Sequence, residues 1–265
     1  MTTRRNFLIG SAAAGTVTVL PSLALAAEDG TSLNFMDGKL TIHPISHASF
    51  VMETPSGVIY VDPVGEDAAY EDLPEPDLIL VTHRHGDHFS ADLLGVLPKA
   101  PILTNEDVTA MMPEDMQARA HVIAAGDSTE MAGVGIEAVP AYNITEGRME
   151  FHPQDRGDIG FVLTLDGSRV YISGDTEGTE EMRALEDIDL ALVCMNLPFT
   201  MTAEQAADAV AAFAPAMVIP YHYRGRDGGT QDPEAFAKML EEAGAETEVT
   251  IYDWYHGELL SLIHI

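Results

Sequence analysis

The chain has 265 residues, of which 43 are acidic and 13 basic, a net charge of −30 that repels phosphate backbones and anionic headgroups and so excludes broad nucleic-acid binding. That length suffices for one large domain with a substantial core, and no linker or low-complexity tract divides it. Cys194 is the only cysteine, which excludes an intrachain disulfide; at the end of Leu190-Ala191-Leu192-Val193 it reads as a buried small hydrophobe.

In chain order, residues 1–26 read as a twin-arginine export signal. Arg4-Arg5 precede a mildly apolar stretch to Leu20, then Pro21 and the small-residue exit Ala24-Leu25-Ala26. Gly10, Ser11, Gly15, Thr16 and Thr18 dilute the apolar stretch too much for a spanning anchor. Residues 27–265 are then one exported domain, periplasmic or secreted, with the twin-arginine machinery as a partner and no stable membrane insertion after cleavage. Short strands are expected over 40–43, 49–53, 57–61 and 78–81, a helix over 91–96, a strand over 102–104 and a helix over 106–112. Strands follow over 122–124, 135–139, 159–165 and 169–173, a helix near 180–185 and a strand over 190–194.

Thr202 and Gln205 make a capping-box pair, and Ala206, Val210 and Phe213 form the apolar face of the helix they open. After a strand over 217–220, Asp232-Pro233 start a second helix with a core stripe of Phe236, Met239, Leu240 and Ala243, closed by Gly244. Strands over 248–252 and 258–262 finish the chain. Two strand-rich blocks, each followed by helices, imply two sheets packed face to face with helices outside, an α/β fold.

The densest chemistry is His83-Arg84-His85-Gly86-Asp87-His88, directly after the apolar run Leu78-Ile79-Leu80-Val81. Three imidazoles and a carboxylate on one loop suit Zn, Mn or Fe, and Gly86 lets the backbone bend so that they converge. His83 and His85, two apart, can serve one metal and Asp87-His88 a second. Further ligands must come from elsewhere. Asp175, in Ser173-Gly174-Asp175-Thr176, and His222, in Pro220-Tyr221-His222, each follow a strand. Alone, Asp175 also fits an ordinary turn and His222 an ordinary core position.

As an ordered set these motifs resemble the metallo-β-lactamase-fold hydrolases, and more closely the branch containing ascorbate-phosphate lactonase-like and N-acylphosphatidylethanolamine phospholipase D-like proteins. Ser46-His47-Ala48-Ser49, Val61-Asp62-Pro63 and Leu197-Pro198-Phe199-Thr200-Met201-Thr202 add to the likeness, which runs from about Leu40 to Leu262. The resemblance implies an αββα sandwich of two mixed sheets flanked by helices and a pair of divalent metal ions. His83 and His85 would hold the first ion, Asp87, His88 and His222 the second, and Asp175 would bridge. The family also expects a histidine between Asp87 and Asp175, where Pro140-Ala141-Tyr142-Asn143 presents asparagine. Either His152 swings in from the following loop, or Asn143 ligates or leaves the place to water.

Two cations of this kind would lower the pKa of an attacking water and polarise a carbonyl or phosphoryl oxygen. Asp87 would also orient that water. Donors to the developing oxyanion are sought in His47, Asn143, Tyr221 and Arg224; Arg224 and Arg226 can also meet an anionic substrate. The expected function is an exported metal-dependent hydrolase of a small-molecule ester, lactone, amide or phosphodiester. An iron-dependent redox enzyme of the same fold and a non-catalytic metal-binding protein are the alternatives.

Overall fold

The structure is a computed structural model that describes residues 17–19, 31, 32, 35 and 39–255. The expected strand at 258–262 and nearly all of the expected signal lie outside those residues; the exception is a short strand, β1 (Val17–Val19), parallel to the last strand of the larger sheet. The expected αββα sandwich is what the chain forms. One sheet has seven strands in sequential order: β2 (Thr31–Ser32), β3 (Thr41–Ser46), β4 (Ser49–Thr54), β5 (Gly57–Val61), β6 (Leu78–Leu80), β7 (Ile102–Thr104) and β8 (Ala120–Val122). The other has eight, ordered β1, β15 (Glu248–Ile251), β14 (Met217–Tyr221), β13 (Leu190–Cys194), β12 (Ser168–Ile172), β11 (Ile159–Leu165), β10 (Val134–Pro140) and β9 (Ser128–Met131).

Both sheets follow one plan. Antiparallel hairpins come first, β2 to β5 and β9 to β12, and parallel strands follow, β5 to β8 and β12 to β15. The two halves are thus alike in topology, a likeness that no sequence repeat betrays.

The parallel strands read as unbroken apolar runs because both their faces are covered. In β6, Leu78 and Leu80 join the core shared with the other sheet, while Ile79 between them packs toward Leu93, Leu94 and Val108 of α1 (Ala91–Val96) and α2 (Glu106–Met111). On the larger sheet lie α5 (Ala203–Phe213) and α6 (Pro233–Glu242), after the short α3 (Glu114–Gln117) and α4 (Glu180–Arg183). Thr202 and Gln205 close the expected capping box on α5, and the Asp232 side chain caps α6 with Pro233 in its first turn. Cys194 is fully buried, as expected of it, and burial pushes its thiol up to about 12.

Strand direction places the chemistry. β3, β5 and β6 run one way in the first sheet, and β10, β12, β13 and β14 share a direction in the second. Their C-terminal ends meet at one edge of the sandwich, and every loop carrying a candidate residue leaves from there.

Candidate metal centre

The His83–His88 loop leaves β6 and is pinned at its root by Asp62, which follows β5. One Asp62 oxygen accepts the Thr82 backbone N–H at 2.7 Å; the other accepts the Thr82 hydroxyl at 2.8 Å and faces His88 Nδ1 at 2.7 Å. Asp62 and His88 are both fully buried. A carboxylate on Nδ1 sets the tautomer and leaves Nε2 as the free lone pair, the usual support of a metal-bound imidazole. The sequence had matched Val61-Asp62-Pro63 as a motif without giving Asp62 a task; its position one residue past a buried strand was the signal.

Asp175 reaches the loop from the opposite sheet. It follows Gly174, whose φ of +59° and whose packing both demand glycine: a Cβ there would lie 2.9 Å from the Ile159 carbonyl oxygen and 3.1 Å from Thr82 Cβ. The Asp175 oxygens divide their attention. Oδ2 lies 3.4 Å from His152 Nε2, and Oδ1 lies 3.3 Å from His88 Nε2 and 3.4 Å from His222 Nε2. His222 Nε2 is also 3.4 Å from an oxygen of Asp87, whose side chain is 47% exposed and marks the open side of the cluster.

These side chains form three overlapping groups whose candidate ligand atoms lie within 4.8 Å of one another: His83, His85 and His152; His83, His88 and Asp175; Asp87, His88 and His222. Of the two candidates for the family's expected histidine, His152 is brought to His83 and His85, its ring 5.2 Å and 4.9 Å from theirs, while the buried Asn143 Oδ1 has no hydrogen-bond partner. Asn143 has another use. Its Nδ2 donates to the carbonyls of Phe199 at 2.6 Å and Arg148 at 2.9 Å, and its backbone N–H donates to the His152 carbonyl at 2.8 Å. With both amide hydrogens committed, Asn143 has none for an oxyanion, so that expectation is corrected. The Phe199 carbonyl also takes His152 Nδ1 at 3.1 Å, which turns Nε2 toward the cluster.

Tyr221 is corrected too. It is fully buried and packs edge-on against Phe50, with Trp254 on another side, so it is core and meets no substrate. His47 stands at the turn between β3 and β4 with its ring 5.3 Å from that of His222, beside the group of Asp87, His88 and His222. The Arg224 guanidinium lies 4.0 Å over the Tyr255 ring and Arg226 lies 5.3 Å over Phe199, both at the mouth of this edge. Sequence reasoning had no signal for Arg148 and Glu177. Buried Glu177 accepts the backbone N–H groups of Ile144 and Thr145 and pairs with Arg148, which holds the Thr200 carbonyl, so the loop bearing His152 is fastened to the one bearing Phe199.

Electrostatics separate the two ends of the cluster. Burial pushes His83 well below its ordinary range and His152 down to about 4, and lowers His85 with help from the Arg156 guanidinium. Those three present neutral lone pairs. Burial would lower His88 and His222 as well, but Asp175, joined by Asp62 at His88 and Asp87 at His222, raises His88 well above its range and His222 to about 9. Asp175 itself is held well below the carboxylate range by His222 and His88 despite its burial.

The donor set fits divalent cations. His152 Nε2 and Asp175 Oδ1 are buried without a hydrogen-bond partner, and His88 Nε2 faces His222 Nε2 at 3.2 Å beside the Asp175 carboxylate, so a cation could take the place of the protons these two imidazoles hold. Imidazole and carboxylate suit the Zn, Mn and Fe class. Fold and cluster together define an αββα sandwich with a candidate metal centre of histidines and carboxylates where its two sheets meet.

Comparison with known proteins gives the family. The profile of the beta-lactamase superfamily domain matches residues 41–222. A UPF0173 metal-dependent hydrolase of Thermococcus onnurineus is 34% identical over 230 residues, covering 82% of this chain and 97% of the relative. One from Pyrococcus abyssi is 33% identical over 207 residues, covering 74% and 90%. Among solved structures, a metal-dependent hydrolase of Parabacteroides distasonis is 39% identical with a TM-score of 0.72, covering 83% of this chain and 97% of that one. The chain belongs to the UPF0173 metal-dependent hydrolases of the beta-lactamase superfamily.

Proposed function

We propose that this hydrolase uses two divalent cations of the Zn, Mn or Fe class to cleave an ester, lactone, amide or phosphodiester bond in a small molecule. The observation that carries the proposal is Asp175, whose two oxygens face separate histidine sets. His83, His85 and His152 would hold one ion, Asp87, His88 and His222 the other, and Asp175 both. Bound there, such a pair supplies Lewis acidity and an acidified water. Asp62 and the Phe199 carbonyl orient His88 and His152. Burial would raise the half-exposed Asp87, but its hydrogen bond to His222 and the charges of His88 and His222 together hold it below the usual carboxylate range, and it would offer an acceptor that orients the attacking water. His47, its ring 5.3 Å from that of His222, would donate to the oxyanion. Metal analysis with a panel of p-nitrophenyl esters, lactones, amides and phosphodiesters tests this. Two ions per chain with turnover of one bond class are expected; under one ion and no turnover would overturn it.

The proposal includes export. Arg4-Arg5 and Ala24-Leu25-Ala26 support passage of the folded, metal-loaded chain through the twin-arginine route. Cytoplasmic loading would let Mn or Fe be held against the stronger competitors Zn and Cu. Cell fractionation of the full chain and an Arg4→Lys, Arg5→Lys variant checks the route: the variant should stay in the cytoplasm.

A further inference from the structure

His47 carries a left-handed backbone conformation, uncommon for a residue with a side chain. Its φ is +47°, in the left-handed region where glycine or asparagine sits with less strain, and the turn between β3 and β4 holds it there. What faces the ring gives that strain a purpose. His47 Nδ1 lies 3.3 Å from the Tyr255 hydroxyl, and that hydroxyl accepts the backbone N–H of Arg224 at 3.2 Å. Tyr255 is 5% exposed and held on three sides: edge-on to His47 at 5.4 Å, edge-on to Tyr223 at 5.1 Å, and under the Arg224 guanidinium.

The donors and acceptors can be followed in order. The Arg224 N–H can only donate, so it fills a lone pair of the phenol oxygen. The phenol hydrogen then needs an acceptor, and among the described residues the one within reach is His47 Nδ1. An imidazole that accepts at Nδ1 carries its hydrogen on Nε2, the nitrogen turned away from Tyr255. The His47 ring also stands edge-on to that of His222 at 5.3 Å, so the imidazole whose tautomer Tyr255 sets borders the metal centre.

We infer that Tyr255 is a positioning residue that locks His47 in the tautomer with its hydrogen on Nε2, so that His47 is a fixed hydrogen-bond donor to the oxyanion formed in hydrolysis. The donor role rests on the proposed hydrolytic function; the tautomer does not.

Imidazole ¹⁵N NMR on the zinc-loaded full chain tests the tautomer without any substrate, with His47→Gln identifying the resonances. The hydrogen is expected on Nε2, with Tyr255→Phe, which keeps the ring and its stacking, giving a mixture of tautomers. Hydrogen on Nδ1 in the parent chain, or the same tautomer in Tyr255→Phe, overturns the inference. Kinetics on whichever panel substrate is turned over supplies the second arm. Tyr255→Phe should lower kcat about ten-fold with little change in KM, a part of the roughly 10²–10³ lost with an oxyanion donor itself. In a His47→Ala background the same substitution should change nothing; an equal loss there would show that Tyr255 does not act through His47. A chain that hydrolyses nothing sinks the proposed function while leaving the tautomer result standing.

Discussion

Asn143 fastens the loop that carries His152. Its two amide hydrogens go to the Phe199 and Arg148 carbonyls, while His152 joins His83 and His85 from the loop beyond. Asn143→Ala removes two buried hydrogen bonds and frees the loop that aims His152. We expect a loss of about 1–3 kcal/mol in denaturant unfolding, from the two buried hydrogen bonds removed. Metal affinity at the His83–His85–His152 group should fall about 10–100-fold, as for other groups that orient a ligand. Unchanged stability and affinity would show that Phe199 alone aims His152.

At this scale the sequence was most legible where ligand types crowd together. His83, His85, Asp87 and His88 announce themselves by spacing, whereas Asp175 and His222 needed the ordered resemblance to be told from ordinary turn and core residues. Tyr221 was misjudged because the strand runs one residue further than its apolar pattern indicated, which keeps the side chain inside. Asp62 and Glu177 have no local signature, since a single buried carboxylate is recognisable only by its partners across the fold.

Among the elements, the turn at Gly174 matters most for the centre. It combines a left-handed backbone with close contacts to Ile159 and Thr82, so Gly174→Ala should destabilise the chain by roughly 1–3 kcal/mol and displace Asp175. Urea unfolding and metal content measured together check both effects; a stable variant with full metal would mean that the turn can relax. Strands such as β5, β7, β11 and β13 were legible residue for residue because each is a short apolar run between turn residues. β9 was not: Ser128–Met131 is a mostly exposed edge strand with a single neighbour, so burial wrote no pattern into it. The four-residue α3 is too short to show a period, and β8 lies two residues before its expected place, in a stretch with an intermediate and two exposed positions.

For the whole molecule, the protons on the metal-free cluster link metal to pH. His222 has its value raised from 6.5 to about 9, so the stability its charge contributes is complete below pH 6.5 and is lost as pH rises through 9. A cation that takes the place of the proton removes that loss. The difference in Tm between metal-loaded and metal-free protein should therefore widen from pH 6.5 to 9. Calorimetry across that range decides the matter, and a constant difference would count against proton displacement at His222.

The overlapping ligand groups have a mechanical meaning as well. His83, His85, Asp87 and His88 hang from the seven-stranded sheet, and His152, Asp175 and His222 from the eight-stranded one, so each outer group takes two side chains from one sheet and one from the other. Metal held by these groups would thus also clasp the seam between two half-molecules of the same plan. Opening it should be felt by both halves at once: on chelation, amide hydrogen exchange should quicken together at the ends of β6, β12 and β14, while the far edge of the sandwich keeps its protection.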